Sequence, residues 1–146
     1  MRVVVQRVLS SSVTVDGKLI NEIENGLNVL VGFTDGDNDS DIDYLVKKVL
    51  NLRIFDDENG VMNKSILDIN GSILAISQFT LYGDASKGNR PSYFKALSSE
   101  QAMPLYDSFC DKLNGFVPTY KGVFGADMKV SILNDGPVTI IIESKC

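Results

Sequence analysis

The stretch RVVVQRVLSSSVTVDGKLINEI, residues 2–23, decides how the fold begins. It is rich in β-branched residues, and apolar and polar side chains partly alternate along it, which is typical of strands. Asp16 and Gly17 stand between two such runs, and an Asp-Gly pair in that position is a strong signal for a tight hairpin turn. We therefore predict that the chain starts with a β-hairpin.

Strand-like and helical patterns alternate along the rest of the chain. Apolar residues from Ile42 to Leu50 recur at helical spacing after an acidic segment in which Asp39 or Ser40 would cap the helix. A second helix is predicted within residues 98–115, starting near Met103 so that its proline falls in the first turn. Further strand-like runs lie at 26–33, 52–55, 72–81, 118–125, 127–133 and 138–144. Together these patterns predict one mixed α/β domain spanning residues 1–146, with a mainly antiparallel sheet of about eight short strands and two helices.

The composition excludes several kinds of chemistry. The chain has no histidine, which removes Ser-His-Asp and Cys-His catalysis and every histidine-bearing zinc site. Its two cysteines, Cys110 and Cys146, have no partner at metal-binding or redox spacing, so we expect one core thiol and one exposed thiol. No metal and no cofactor are expected.

Charge and hydropathy also limit the partners. The net charge is −5, so the whole molecule does not attract a polyanion over long range, and a nucleic-acid partner would need a local basic patch. Lys87, Arg90 and Lys95 lie close together in sequence and are candidates for that patch, with Lys121 and Lys129 as further candidates. No apolar run is long enough for a signal peptide or a membrane span, so we expect a cytoplasmic protein with no membrane partner.

Two polar stretches stand at the ends of strand-like runs and have no obvious structural purpose. They are SQFTL, residues 77–81, and NDGPVT, residues 134–139. Taken alone, the first can be a strand that becomes polar as it reaches solvent, and the second a decorated hairpin turn. In NDGPVT, Pro137 directly follows Gly136 and removes a backbone donor that a strand would normally use.

These two stretches, together with MRVVVQRV (1–8), GDASKGNRPSY (83–93) and GVFGADMKV (122–130), closely resemble the D-aminoacyl-tRNA deacylase family over essentially the full chain. The resemblance implies an enzyme that hydrolyses the ester joining a D-amino acid to the terminal ribose of tRNA, a form of chiral proofreading. It also implies a homodimer with a β-barrel-like sheet, flanking helices, and a site at the subunit interface.

The resemblance assigns the Gly-Pro motif to the wall of that site. It implies that Gly136 and Pro137 are joined by a cis peptide, and that the motif reaches across the dimer into the partner's pocket to accept hydrogen bonds from the substrate's α-ammonium group. An L-residue would drive its β-carbon into this wall, whereas glycine has none, so glycyl-tRNA, including that mischarged on tRNA(Ala), would be accepted to some degree. Arg7 and Asn134 would support the motif; a solvated strand arginine is the alternative for Arg7.

The SQFTL stretch would form the other wall, with Ser77 binding substrate. Thr80 is the nucleophile candidate by residue type, yet its hydroxyl needs an adjacent base and the chain has no histidine. The alternative is that the 2′-hydroxyl of the tRNA helps the attacking water, while Gln78 orients the ester or the water and the backbone N–H groups of Phe79 and Thr80 bind the oxyanion.

The remaining roles concern the tRNA end. Phe124 and Met128 match positions that line the pocket for the terminal adenosine, with core packing as the alternative. Lys87 and Arg90 are candidates for phosphate contacts at the acceptor end, with a freely solvated loop as the alternative.

Two other functions stay open from the sequence. One is a nucleic-acid-binding module without chemistry, in which Phe79, Phe124 and Tyr93 would be stacking surfaces, although no DNA partner is predicted. The other is a general small-molecule esterase, which would turn over simple esters that lack a tRNA.

Overall fold

The computed structural model describes residues 1–145. In chain order the elements are β1 (Arg2–Val15), β2 (Lys18–Ile23), β3 (Gly26–Gly32), α1 (Asp39–Asn51), β4 (Phe55–Asp56), β5 (Met62–Lys64), α2 (Ile66–Ile69), β6 (Ser72–Ser77), a 3₁₀ turn (Phe79–Tyr82), α3 (Ser99–Asn114), β7 (Thr119–Lys121) and β8 (Lys129–Glu143).

The predicted N-terminal hairpin is confirmed. β1 pairs antiparallel with β2, and the turn between them places Asp16 at φ +51° and Gly17 at φ +76°. Positive φ at both central residues is the geometry for which Asp-Gly is favoured, because aspartate tolerates that region and glycine has no β-carbon. The local sequence therefore fixes the first pairing.

The main sheet has the order β2-β1-β3-β6-β7, and β8 pairs with the free side of β1. The three pairings of β1 are antiparallel, whereas β3–β6 and β6–β7 are parallel. The sheet curls back on itself, since the side-chain amide of Asn21 in β2 donates to the carbonyl of Lys121 in β7 at 2.6 Å. The expected mixed α/β fold with a mainly antiparallel, barrel-like sheet is confirmed.

The NDGPVT stretch is not a hairpin turn. Both of its flanking runs belong to β8 and face the same strand, β1: Gln6 pairs with Thr139 and Val8 with Asn134. Five steps along β8 thus match two along β1, and the surplus residues form a bulge. A hairpin between two strands and a bulge within one strand can both have Asp-Gly between two strand-like runs. Local sequence could therefore not distinguish the two structures.

The two predicted helices are present, with different starts. α1 is capped by Asn38, not by Asp39 or Ser40, and Asp41 completes a capping box with it. α3 begins at Ser99, so the predicted start near Met103 is wrong and Pro104 lies inside the helix. Proline there removes the backbone hydrogen bond to the carbonyl of Glu100, an exposed residue, and the helix continues through it. The four-residue α2 was not predicted.

The core occupies both faces of the sheet. The larger cluster packs alternate residues of β1, β3 and β6 against α1 and α3, and includes Cys110, a buried free thiol as expected. A smaller cluster, built around Val8, Val13 and Leu74, fills the other face inside the curled sheet. The expected exposed thiol, Cys146, lies outside the described residues.

Candidate active site

A cavity of about 500 Å³ opens where β3 and β6 end. Because these strands are parallel, their carboxyl ends reach the same edge of the sheet, which is where α/β folds form binding sites. Residues 31–33 and 76–79 line one side. The rest of the lining comes from Tyr93, residues 96–99 and Ala102, and from residues 124–126, Met128 and Val130.

Five residues predicted from the sequence lie together in this cavity. Ser77, Gln78 and Phe79 come from the end of β6, and Phe124 and Met128 come from the segment before β8. The two segments are far apart in sequence, so their meeting results from the topology of the sheet.

The SQFTL stretch leaves the sheet earlier than the sequence predicted. β6 ends at Ser77, and residues 79–82 form one 3₁₀ turn, in which the N–H of Leu81 bonds to the carbonyl of Gln78 at 3.2 Å. The first N–H groups of such a turn have no acceptor inside it. Across residues 1–145 the backbone N–H groups of Phe79 and Thr80 donate to no protein atom.

Thr80 follows the cavity lining but does not belong to it. Its Oγ1 accepts a hydrogen bond from Nε2 of Gln78 at 2.5 Å. An amide N–H is a donor and cannot take a proton from the hydroxyl. The geometry thus gives Thr80 a hydrogen-bonding neighbour but no general base.

Packing holds Phe124 and Met128 in place. The Phe124 ring lies 5.7 Å from that of Tyr106, whose hydroxyl donates to the carbonyl of Ala75 at 2.7 Å. Burial raises the pKa of Tyr106 far above its ordinary value and that of the nearby Cys110 thiol to about 12, so both stay neutral. Phe124 and Met128 each touch the hydrophobic core as well as the cavity, so core packing and site lining coexist.

The Gly-Pro motif lies elsewhere in the same chain. The peptide between Gly136 and Pro137 is cis, as the resemblance implied, and both residues are exposed and outside the cavity. Asn134 closes the bulge, since its Oδ1 accepts from the N–H of Val138 at 3.0 Å and its Nδ2 donates to Thr139 at 2.9 Å.

Arg7 supports the bulge from β1. Its Nε donates to the carbonyl of Asp135 at 3.1 Å, and its Nη1 donates to the carbonyl of Ile54 at 2.7 Å. The side chain is only 11% exposed, so the alternative of a solvated strand arginine is wrong.

Lys87 and Arg90 lie on an exposed loop, residues 83–98, and neither lines the cavity. The same loop supplies lining residues that spacing did not reveal, from Ala96 to Ser98, and Ser99 at the start of α3 continues the lining. Tyr93 also lines the cavity, and its ring meets Phe79 edge-on at 5.2 Å. The only signal for this loop was its content of Gly, Ser and charge, which is typical of functional loops but does not identify individual contacts.

Two features are absent from residues 1–145. No three His, Cys, Asp or Glu side chains are grouped there as ligands of a metal ion. No helix in that range is long and apolar enough to cross a membrane.

Comparison with known proteins identifies the family. The sequence model described as D-Tyr-tRNA(Tyr) deacylase matches residues 4–143. Two proteins named D-aminoacyl-tRNA deacylase are similar: one from Clostridium tetani (strain Massachusetts / E88) is 60% identical, covering 99% of this chain and 98% of that protein, and one from Parabacteroides distasonis is 54% identical with the same coverage.

Solved structures agree in fold. One titled "c-Myc DNA Unwinding Element Binding Protein" matches with a TM-score of 0.95, 44% identity and full coverage of both chains. A probable eukaryotic D-amino acid tRNA deacylase matches with a TM-score of 0.82 over 97% of this chain and 98% of that one; at 20% identity it supports the fold alone. The matches in sequence over almost the entire chain show that this protein belongs to the D-Tyr-tRNA(Tyr) deacylase family.

Proposed function

We propose that the protein hydrolyses the ester between a D-amino acid and the 3′-terminal ribose of tRNA, releasing the free D-amino acid and the tRNA. The observation that carries the proposal is the cavity in which Gln78 and Phe79 meet Phe124 and Met128, in a chain 60% identical to a protein named for this activity. The cavity combines one polar wall with one aromatic and thioether wall, which suits an ester attached to a nucleoside.

The aromatic wall would bind the terminal adenine. Phe124 offers a ring held by Tyr106, and Met128 offers a polarisable side chain that adapts to a base. Ser77, at the end of β6, supplies a hydroxyl within the same cavity for a polar group of the substrate. Together these residues would orient the ester toward the 3₁₀ turn.

The 3₁₀ turn would supply the chemistry. Water attacks the ester carbonyl carbon, the N–H groups of Phe79 and Thr80 stabilise the negative oxygen that forms, and the bond to the ribose oxygen breaks as that oxygen takes up a proton. Gln78 would orient the water or the ester, and the neighbouring 2′-hydroxyl of the ribose would assist proton transfer. Thr80 has no base beside it, which argues against a covalent intermediate.

We propose further that two copies of the chain complete each site. The Gly136-Pro137 bulge lies outside its own cavity, is exposed, and is held by Arg7 and Asn134. The same strand, β8, exposes Leu133 and Ile141, 54% and 65% accessible, which favours a covering surface. A homodimer that inserts the bulge of one copy into the cavity of the other would use both features.

The inserted motif would also explain selection for D-residues. Backbone acceptors that bind the α-ammonium group leave no room for the β-carbon of an L-residue. Glycyl-tRNA should then be hydrolysed measurably, including glycine mischarged on tRNA(Ala), while L-alanyl-tRNA is spared. Equal resistance of the two esters would count against the steric wall.

The direct test of the activity compares the decay of D-tyrosyl-tRNA and L-tyrosyl-tRNA with the purified protein, with and without a chelator. We expect rapid loss of the D-ester alone, unaffected by the chelator. Survival of both esters would refute the proposed function.

A second candidate comes from the structural relative whose title names DNA binding. In that case the fold would bind nucleic acid without chemistry, through cations such as Lys87 and Arg90. The net charge of −5 argues against it. Binding of uncharged RNA or DNA that is tight and falls steeply with salt, with no effect of an esterified D-amino acid, would favour this candidate.

A further inference from the structure

Three aromatic residues stand at the rim of the cavity and only two of them line it. Phe79 and Tyr93 contact each other and line the cavity, while Phe94 does not line it and is 95% exposed. Among the exposed large apolar side chains of residues 1–145, Phe94 has the greatest accessibility. Single exposed apolar residues are common, so the position of Phe94 beside the cavity is better evidence for a binding role than its exposure.

The backbone holds Phe94 at a fixed point on the rim. Residues 93–96 form a β-turn in which the N–H of Ala96 bonds to the carbonyl of Tyr93 at 3.0 Å. Tyr93 and Ala96, the first and last residues of this turn, both line the cavity, so Phe94 projects from a turn whose base is part of the site.

Contacts on either side anchor that turn. Asp84 and Ser92 exchange backbone hydrogen bonds at 2.8 Å in each direction, and the hydroxyl of Thr34 donates to the carbonyl of Lys95 at 2.6 Å. The N–H of Leu97 bonds to the carbonyl of Phe33 at 3.0 Å. Phe94 is therefore presented by ordered backbone and not by a free loop.

The charge around the turn is positive. Lys87, Arg90 and Lys95 share this loop, and within residues 1–145 none of the three forms an ion pair. The loop's one carboxylate, Asp84, accepts a hydrogen bond from the N–H of Ser86 at 2.9 Å. An exposed ring beside cations that form no ion pair is the combination that binds single-stranded nucleic acid, where bases stack and phosphates pair with cations.

We propose that Phe94 is a stacking platform for the nucleobase that precedes the terminal adenosine, the penultimate cytosine of the tRNA. This inference rests on the proposed function, because it takes the cavity as the site of the terminal adenosine. The protein would then bind two nucleotides of the single-stranded end, one inside the cavity and one on its rim, with the loop cations near the connecting phosphates.

The test compares two substrates. D-tyrosyl-tRNA carries the penultimate base, whereas D-tyrosyl-adenosine, the 3′-ester of the nucleoside alone, does not. Phe94→Ala should lower kcat/KM for the tRNA ester by about 5- to 100-fold and leave kcat/KM for the nucleoside ester unchanged. Phe94→Trp should restore the tRNA activity. Phe116→Ala, which removes a ring that is 66% exposed beyond the end of α3, is the matched control and should affect neither substrate.

A binding measurement separates this proposal from the proposed function. An uncharged RNA hairpin ending in CCA is compared with the same hairpin carrying an abasic penultimate nucleotide. Loss of the base should weaken binding to the wild-type protein by ~10-fold and should not weaken binding to Phe94→Ala further, since the two changes remove the same contact.

Several outcomes would overturn the platform. They are equal losses on both esters, dissociation of an oligomer by Phe94→Ala, or no preference for the intact penultimate base. If the wild-type protein hydrolysed neither ester but the binding cycle held, the proposed function would fail while the platform stood.

Discussion

Replacing Arg7 with methionine tests how firmly the Gly136-Pro137 bulge is held. Methionine keeps an unbranched apolar stem but lacks the guanidinium head, so the change removes the hydrogen bonds of Arg7 while the packing of its stem is retained. Two carbonyl groups lose their donor: that of Ile54, bonded at 2.7 Å in a buried setting, and that of Asp135, bonded at 3.1 Å in a partly buried one.

The expected cost follows from those two bonds. A buried acceptor left without a partner costs about 1–3 kcal/mol, and the partly exposed carbonyl of Asp135 falls at the lower end of that range. The ion pairs of Arg7 with Asp56 and Asp135, both at 3.4 Å, involve carboxylates that are 54% and 42% exposed, so they add little. We expect the free energy of unfolding to fall by about 2–4 kcal/mol.

The assay is urea unfolding followed by circular dichroism, paired with hydrolysis of D-tyrosyl-tRNA and L-tyrosyl-tRNA. Arg53→Met is the control, because Arg53 bonds only to exposed partners on Asn63, and its effect should stay within about 0.5 kcal/mol. Below the unfolding transition, Arg7→Met should hydrolyse the D-ester more slowly and discriminate less against the L-ester. An unfolding free energy equal to that of the wild type, with unchanged discrimination, would refute the account of Arg7.

Three further predictions concern the site and the acid stability of the fold. Thr80→Ala should keep its kcat within about 10-fold of the wild type in the deacylation assay; a loss of roughly 10⁴-fold would assign direct chemistry to the hydroxyl. Gly136→Ala should lower the unfolding free energy by about 1–3 kcal/mol and reduce D-ester hydrolysis, because Gly136 has φ +129° and an added β-carbon would lie 2.8 Å from the side chain of Val138; a wild-type urea midpoint would contradict this. The pKa of Asp41 is lowered: burial alone would raise it, but a hydrogen bond from the N–H of Asn38 and other neighbours outweigh burial. The stability that Asp41 contributes is present above its pKa in the unfolded chain, about 4, and is lost as the pH falls through its lower pKa in the folded protein. Asp41→Asn should therefore make the free energy of unfolding depend less on pH between about pH 5 and 2. An unchanged pH dependence would count against this linkage.

Local patterns predicted the elements whose causes are local. The Asp16-Gly17 turn and the apolar spacing of α1 depend on neighbouring residues, and both are confirmed. The predicted start of α3 near Met103 was wrong because we placed Pro104 in the first turn of the helix. Burial of Ala102 in the core favours the earlier start at Ser99. The parallel pairing of β3 with β6 depends on a crossover through α1 and α2, which no local pattern specifies.

Only part of the candidate site could be predicted from the sequence. Ser77 to Phe79 and Phe124 with Met128 were predicted through the resemblance, and the sheet edge brings them together. The contacts of Arg7 depend on β8 bulging against β1, which requires the pairing register. Ala96 lines the cavity because the loop of residues 83–98 pairs there with Thr34. Residue types alone do not indicate such a contact between distant parts of the chain.

We propose above that each site joins the cavity of one copy to the Gly136-Pro137 motif of another. Coexpression of two variants that each have reduced activity alone tests it most directly. Ala126→Trp fills the cavity but keeps the motif intact, and Gly136→Ala distorts the motif but keeps the cavity. Random pairing makes about half of the dimers mixed, each with one intact site, so D-tyrosyl-tRNA hydrolysis should return to about a quarter of the wild-type rate. No recovery, with mixed dimers confirmed by differential tags, would contradict the shared site.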